Sequence, residues 1–191
     1  MSKKGNAKPE NPDAVCETFF GILTQDVILS MERQERNDTQ ATRRDLIRTM
    51  FAAIEGYVWK YREHVRSVIS DIGTIPALTE LALSETSYTV TENGKLEAQT
   101  RFITLTAMIR LVSRLAEEHC PGLQVDFSQA GWSHLQQAIK IRNRITHPKS
   151  TSDLTITPQD IATTNAGFFW LLESITSVME RSEERRVGKE C

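Results

Sequence analysis

The sequence predicts an all-α fold, a bundle of four to five helices with a small β-hairpin near residues 88–96. Apolar residues recur at helical spacing along most of the chain. Capping and helix-breaking residues separate these segments, and only one passage is rich in strand-forming residues. At 191 residues and 39% hydrophobic, the chain can bury one good core, which favours a single domain.

The first two helices follow a polar start. Residues 1–12 contain two prolines and almost no apolar side chains, which predicts a disordered lead before a helical domain spanning 13–180. The first helix is predicted over 13–36, and the break Asn37-Asp38-Thr39 offers N-cap residues for the second. The second helix should end at residues 71–73, where Gly73 suits the position after the last turn. The predicted core faces are Val15, Phe19, Ile22 or Leu23 and Val27, then Leu46, Ile47, Met50, Ile54, Tyr57, Tyr61, Val65 and Val68.

The middle of the chain is predicted to hold a short helix, the hairpin and a longer helix. Pro76 begins the short helix. Asn93-Gly94 is typical of a tight hairpin turn, although an irregular loop fits this passage equally well. The longer helix is predicted over 96–119, where Pro121 and Gly122 follow. The predicted core faces are Leu78, Leu81 and Leu83, then Phe102, Leu105, Ile109, Val112 and Leu115.

Two further helices complete the prediction. Ser128 is expected to cap the first, which must end near His147 because Pro148 disfavours helical backbone before it. Thr157 and Pro158 form a favourable start for the second. The predicted core faces are Trp132, Leu135, Ala138 and Ile139, then Ile161, Phe168, Leu172, Ile175 and Met179. We expect the three tryptophans, Trp59, Trp132 and Trp170, to lie in the core and not in base-stacking positions.

Composition limits the function and the location. The net charge of −2 does not favour bulk nucleic-acid binding, so any RNA must meet a local basic patch. No apolar run approaches the roughly 18 residues that span a bilayer, and the polar N-terminal residues argue against a secretory signal. The three cysteines are isolated, which favours a reduced, cytoplasmic protein. The lack of a long apolar run means that no membrane partner is expected. Residues 181–191 match one reading frame of a widely used sequencing adapter, and we interpret them as an artefact tail.

The chemically dense segment is Arg142-Asn143-Arg144-Ile145-Thr146-His147. Arg142 falls inside the apolar arc of its helix, so its charge must meet a carboxylate, a partner subunit or a phosphate. A structural pair with Glu55 is one option. His147 should lie at the helix end, where the macrodipole favours the imidazolium, and it is either an acid–base group or only a C-cap. His64, His119 and His134 show no metal-ligand spacing, so no metal or cofactor is predicted.

This segment resembles the signature of the HEPN superfamily: an arginine, a polar residue, three variable residues and a histidine at the end of a bundle helix. The helical pattern of residues 42–179 is similar to that superfamily, and so is the segment 50–56 on the long early helix. The resemblance implies a metal-independent endoribonuclease of the toxin or antiviral-defence type. It also implies a homodimer in which both motifs face one RNA cleft, and an antitoxin or defence-system partner protein.

The resemblance further implies roles for individual residues. His147 would be the general acid or base, Arg142 would stabilise the scissile phosphate, and Asn143 would orient the phosphate or the histidine. Glu55 and Arg144 are candidate support residues. The predicted RNA-binding cations are Lys140, Arg144 and Lys149. The alternative is a non-catalytic module of the same fold that serves in dimerisation or nucleotide binding.

Overall fold

The computed structural model describes residues 18–119, 122 and 124–188, with side chains to residue 184. Within these residues the fold is mostly helical, with one antiparallel hairpin, as predicted, but it has six α-helices where four to five were expected. The elements are α1 (Phe19–Arg36), α2 (Gln40–Ile72), α3 (Ala77–Leu83), β1 (Thr86–Val90), β2 (Leu96–Thr100), α4 (Leu105–His119), α5 (Ala130–Thr146), a 3-10 turn (Thr151–Leu154) and α6 (Pro158–Gly188). The predicted disordered lead, Val15 and the three cysteines lie outside the described residues.

Helix α2 is the centre of the fold and contacts α1, α4, α5 and α6. The predicted break supplies its cap, and the capping residue is Thr39, which accepts from the backbone N–H of Thr42 at 3.2 Å. Its predicted core stripe is confirmed, since all eight side chains are buried or partly buried. Gly73 follows the last turn with φ of 176°, which is extended backbone, so the glycine-specific cap expected there is not formed.

The hairpin is confirmed, and it corrects the helix predicted over residues 96–119. Leu96 pairs with Val90 and Thr100 with Thr86, so this stretch forms the second strand. Gly94 supplies the positive φ of 71° in the turn. Helix α4 therefore begins only at Leu105, and Phe102, predicted in the core, lies in the connection with 87% of its surface exposed.

Several other sequence predictions are wrong in this fold. Leu78 and Phe19, both predicted in the core, are 82% and 42% exposed. The hydroxyl of Ser128 donates to Asp126 Oδ1 at 2.6 Å and does not cap α5, which begins at Ala130 without a side-chain cap. Trp59 is 45% exposed, because it lies on a stripe of α2 at the edge of the core. Trp132 and Trp170 are buried as predicted, with ring centroids 5.8 Å apart between α5 and α6.

The last helix starts as predicted and passes residue 180. Thr157 Oγ1 accepts from the backbone N–H of Asp160 at 3.1 Å, and Pro158 is the first helical residue. Helix α6 continues to Gly188, and the Ser182 hydroxyl lies 2.6 Å from His64 Nε2. In the part of the chain that the structure describes, no helix is both long and apolar enough to cross a membrane.

Glu85 anchors the hairpin to α2. It has a positive φ of 50°, which is uncommon outside glycine. Its Oε1 accepts from the backbone N–H of Ile103 at 2.9 Å, and its Oε2 accepts from Arg62 Nη1 at 3.1 Å. Because the Arg62 side chain is only 13% exposed, Glu85 neutralises a largely buried charge as well as closing the hairpin.

We expect Glu85→Ala to lower the free energy of unfolding by about 1–3 kcal/mol, because it leaves a buried donor and a buried guanidinium with fewer partners. Glu85→Gln should cost less, since it keeps the shape and a hydrogen-bond acceptor. Chemical denaturation measures both. Glu97→Ala, on an exposed position of β2, is the control and should be near neutral. Equal losses of unfolding free energy for Glu85→Ala and Glu97→Ala would show that the Glu85 contacts do not stabilise the fold.

Candidate functional site

The last turns of α5 carry Arg142 and Asn143, and His147 is the residue that follows the helix. The helix ends at Thr146, and the backbone N–H of His147 donates to the Asn143 carbonyl at 3.0 Å. His147 itself has left helical geometry, with φ of −125° and ψ of 58°, and Pro148 follows. The predicted helix end is thus confirmed, and the His147 side chain is exposed to solvent.

Arg142 is held between α5 and α2. Its Nη2 donates to Glu55 Oε1, and its Nη1 donates to Asn143 Oδ1 at 3.1 Å. The guanidinium carbon lies 5.7 Å from the centre of the Phe51 ring, which supports the group from the core side. Arg142 therefore lies on the side of α5 that faces α2, as predicted. Its pairing with Glu55, one of the options that the sequence left open, is formed.

The Arg142–Glu55 pair nevertheless lies at the surface. The side chain of Arg142 is 30% exposed and that of Glu55 is 51% exposed. Exposed ion pairs typically contribute only about 0–1 kcal/mol, so an incoming phosphate can compete for this guanidinium. A guanidinium carries five N–H donors, and the two contacts with Glu55 and Asn143 use two of them. The arginine is therefore oriented without being fully occupied by these two partners.

Arg48 is a cation near the site that sequence reasoning did not identify. Its Nη2 donates to the carbonyl of Ile145 at 3.4 Å, at the C-terminal end of α5. A cation is favourable there because the helix dipole is negative at that end. Arg48 and Glu55 share a face of α2 at helical spacing, which is a sequence signal, but only packing shows that α5 ends against this face.

Hydrogen bonds hold the loop after His147 at both of its ends. Asp153 Oδ2 accepts from the backbone N–H groups of Lys149 at 2.8 Å and Ser150 at 2.9 Å. The hydrogen bond from the Lys149 N–H holds the pKa of the Asp153 carboxyl below its ordinary value. On the α2 side, Gln40 bonds both backbone groups of Ile156, at 3.0 and 2.7 Å. These contacts fix the direction in which the chain leaves His147.

The predicted RNA-binding cations do not gather around Arg142. Arg144 donates to the Thr155 carbonyl at 2.9 Å and to Asp160 Oδ2 at 3.2 Å, so it joins α5 to the start of α6. Lys140 precedes Arg142 by two residues, which places it on the opposite side of α5, about 160° away. Lys149 is exposed beyond Pro148. Arg48, which contacts the last turn of α5, is better placed than Lys140 to add positive charge beside the motif.

Comparison of the chain with models of known protein families, with curated proteins and with solved structures gives no match. The likeness to HEPN proteins therefore rests on the motif of α5 and on the mostly helical architecture. Its functional consequences are proposals.

Proposed function

We propose that this protein is a metal-independent endoribonuclease of the HEPN type, a cytoplasmic toxin or antiviral-defence enzyme. The observation that supports the proposal is the hydrogen bond between the Arg142 and Asn143 side chains near the end of α5, with His147 exposed at the residue where this helix ends. These side chains offer a cation, an amide and an imidazole, which are the groups that phosphodiester transfer needs. An antitoxin or defence-system protein would restrain or trigger the enzyme.

The chemistry is an attack of the ribose 2′-oxygen on the adjacent phosphorus. The new oxygen–phosphorus bond closes a 2′,3′-cyclic phosphate while the bond to the 5′-oxygen breaks. His147 removes the proton from the 2′-hydroxyl or delivers one to the leaving 5′-oxygen. Arg142, oriented by Glu55, stabilises the charge that develops on the phosphate, and the amide of Asn143 orients it.

A homodimer completes this site. The reaction needs one group to accept a proton and another to donate one, and each chain offers one histidine in the motif. If two copies face each other across one cleft, two His147 imidazoles divide these tasks. Arg48 and Lys149 would then line the approach of the RNA backbone.

The proposal predicts cleavage of RNA in the presence of EDTA. Products should carry a 2′,3′-cyclic phosphate and a 5′-hydroxyl, which end-labelling and mass spectrometry distinguish from hydrolytic ends. The matched control is the same oligonucleotide with a single 2′-deoxyribose at the cut position, which should resist cleavage there because it lacks the nucleophile. Absence of cutting by pure protein, or cutting that ignores the deoxyribose, would overturn the proposal.

The Arg142–Glu55 pair favours one alternative, a non-catalytic helical module that serves in dimerisation or nucleotide binding. A guanidinium that already holds a carboxylate is less available to a scissile phosphate. This alternative predicts a dimer or a nucleotide complex without any RNA cleavage, with Arg142→Ala weakening that association. Light scattering and nucleotide titration measure these outcomes beside the cleavage assay.

A further inference from the structure

A groove lies next to the Arg142–Glu55 pair, between α2, α4 and the connection that follows β2. Its volume is about 360 Å³. Val58 and Met108 form a buried apolar floor, and Trp59 and Phe102 are aromatic walls. Polar atoms come from Glu55 and from the ion pair between Arg62 and Glu85. This size falls within the range of roughly 300–1,000 Å³ typical of small-ligand sites.

The two aromatic walls are exposed to solvent. Trp59 is 45% exposed and Phe102 is 87% exposed, whereas Trp132 and Trp170 are 5% and 8% exposed. The Trp59 ring contacts the Phe19 ring at a centroid distance of 6.0 Å, and part of it stays open to solvent, as does most of Phe102. Unpaired nucleobases stack on exposed aromatic faces regardless of their identity. The Lys60 ammonium lies 5.2 Å from the Trp59 ring, which adds a positive charge suited to a strand of phosphates.

The groove is continuous with the proposed catalytic motif through Glu55. This carboxylate both binds Arg142 and lines the groove. Trp59 lies one helical turn further along α2, and residues at that spacing have Cβ atoms about 5–6 Å apart. A ligand with a phosphate at Arg142 and a planar ring close to it would therefore reach both places.

We infer that the groove binds an unpaired base of the RNA strand whose phosphate lies at Arg142. The inference rests on the proposed function and adds to it a base-binding groove formed by Trp59 and Phe102. Trp59 and Phe102 stack on the base, and Glu55 accepts from amino groups on its edge. A base held in a duplex is already stacked and paired, so duplex RNA cannot fill the groove without being opened.

Binding is measured in the full chain carrying His147→Ala, so that the RNA stays intact. The probes are a short fluorescent single-stranded RNA, the same RNA annealed to its complement, and the same strand with abasic riboses. Trp59→Ala and Phe102→Ala are expected to weaken binding of the single strand by roughly five- to 150-fold. The matched controls replace exposed aromatic residues outside the groove: Phe169→Ala for Trp59, and Tyr88→Ala for Phe102. Both controls should bind like the parent.

Tryptophan fluorescence provides a second readout that does not depend on cleavage. The single strand should quench the emission of Trp59, and Trp59→Phe should remove that response. Equal binding of duplex or abasic RNA, parent-like binding by both groove variants, or no binding of the single strand by the parent overturns the inference.

The two proposals fail separately. If single-stranded RNA quenches the fluorescence but the native chain does not cleave it, the base-binding groove is supported and the ribonuclease proposal is rejected. If both groove variants cleave RNA and bind it with native affinity, the ribonuclease proposal is supported and the base-binding groove is rejected.

Discussion

Replacing His147 with alanine is expected to slow RNA cleavage by about 10²–10⁴-fold, because general acid–base catalysis contributes that much to typical enzymes. His147 is exposed at the end of α5, so the substitution removes no buried contact and should leave the fold intact. Single-turnover cleavage in EDTA measures the rate, and circular dichroism with a thermal scan measures the fold.

The matched control is His134→Ala, which removes a half-buried histidine from the same helix. It should retain the parent rate as long as the variant is folded. Added imidazole should restore part of the activity of His147→Ala, because a diffusible base can carry the missing proton. A His147→Ala variant that cuts at the parent rate would exclude this histidine from the chemistry.

Replacing Gly167 with alanine is expected to lower the free energy of unfolding by about 1–3 kcal/mol, the usual cost of overpacking a core. A Cβ at Gly167 would lie 2.6 Å from Leu135 N and 2.7 Å from Leu135 Cα, which are backbone atoms of α5. The clash can be relieved only by moving α5 away from α6. This cost should exceed the gain of about 1 kcal/mol that alanine normally brings to a helix.

Gly56→Ala is the matched control, since it also lies inside a helix. A Cβ there would approach Leu23 Cδ1 at 2.6 Å, which is the end of a flexible side chain that can rotate away. Chemical denaturation should therefore show a much smaller loss for Gly56→Ala. Because α5 carries Arg142 and His147, Gly167→Ala should also reduce cleavage in the fraction that remains folded. A stability gain at Gly167 would contradict the close approach of α5 and α6.

Local patterns predicted the helices that carry the site. The apolar stripe of α2, the cap at Thr39, the start at Thr157 and the end at His147 all depend on residues within one or two turns of each other. Such features are encoded by spacing and by backbone chemistry, which the sequence displays directly. The position of Arg142 on the buried arc of α5 followed from the same reasoning.

The wrong predictions share a different cause. Leu96 and Phe102 fit a helical spacing, yet residues 96–100 pair with a strand that precedes them. A helical pattern cannot show that a segment has a pairing partner elsewhere. Trp59 follows the apolar spacing of α2, but it lies at the edge of the core, where Phe19 of α1 contacts its ring and 45% of the residue stays exposed. Tertiary packing overrode the local preference in both cases.

For the candidate site, the sequence by itself determined which residues end α5 and that Arg142 needs a partner. Only the tertiary structure decided that this partner is Glu55, 87 positions away, and that Arg48 reaches the last turn of α5. It also placed Trp59 and Phe102, from distant segments, in one groove beside the motif. The physical reason is that local spacing fixes the face of a helix on which a side chain lies, whereas packing decides what that face meets.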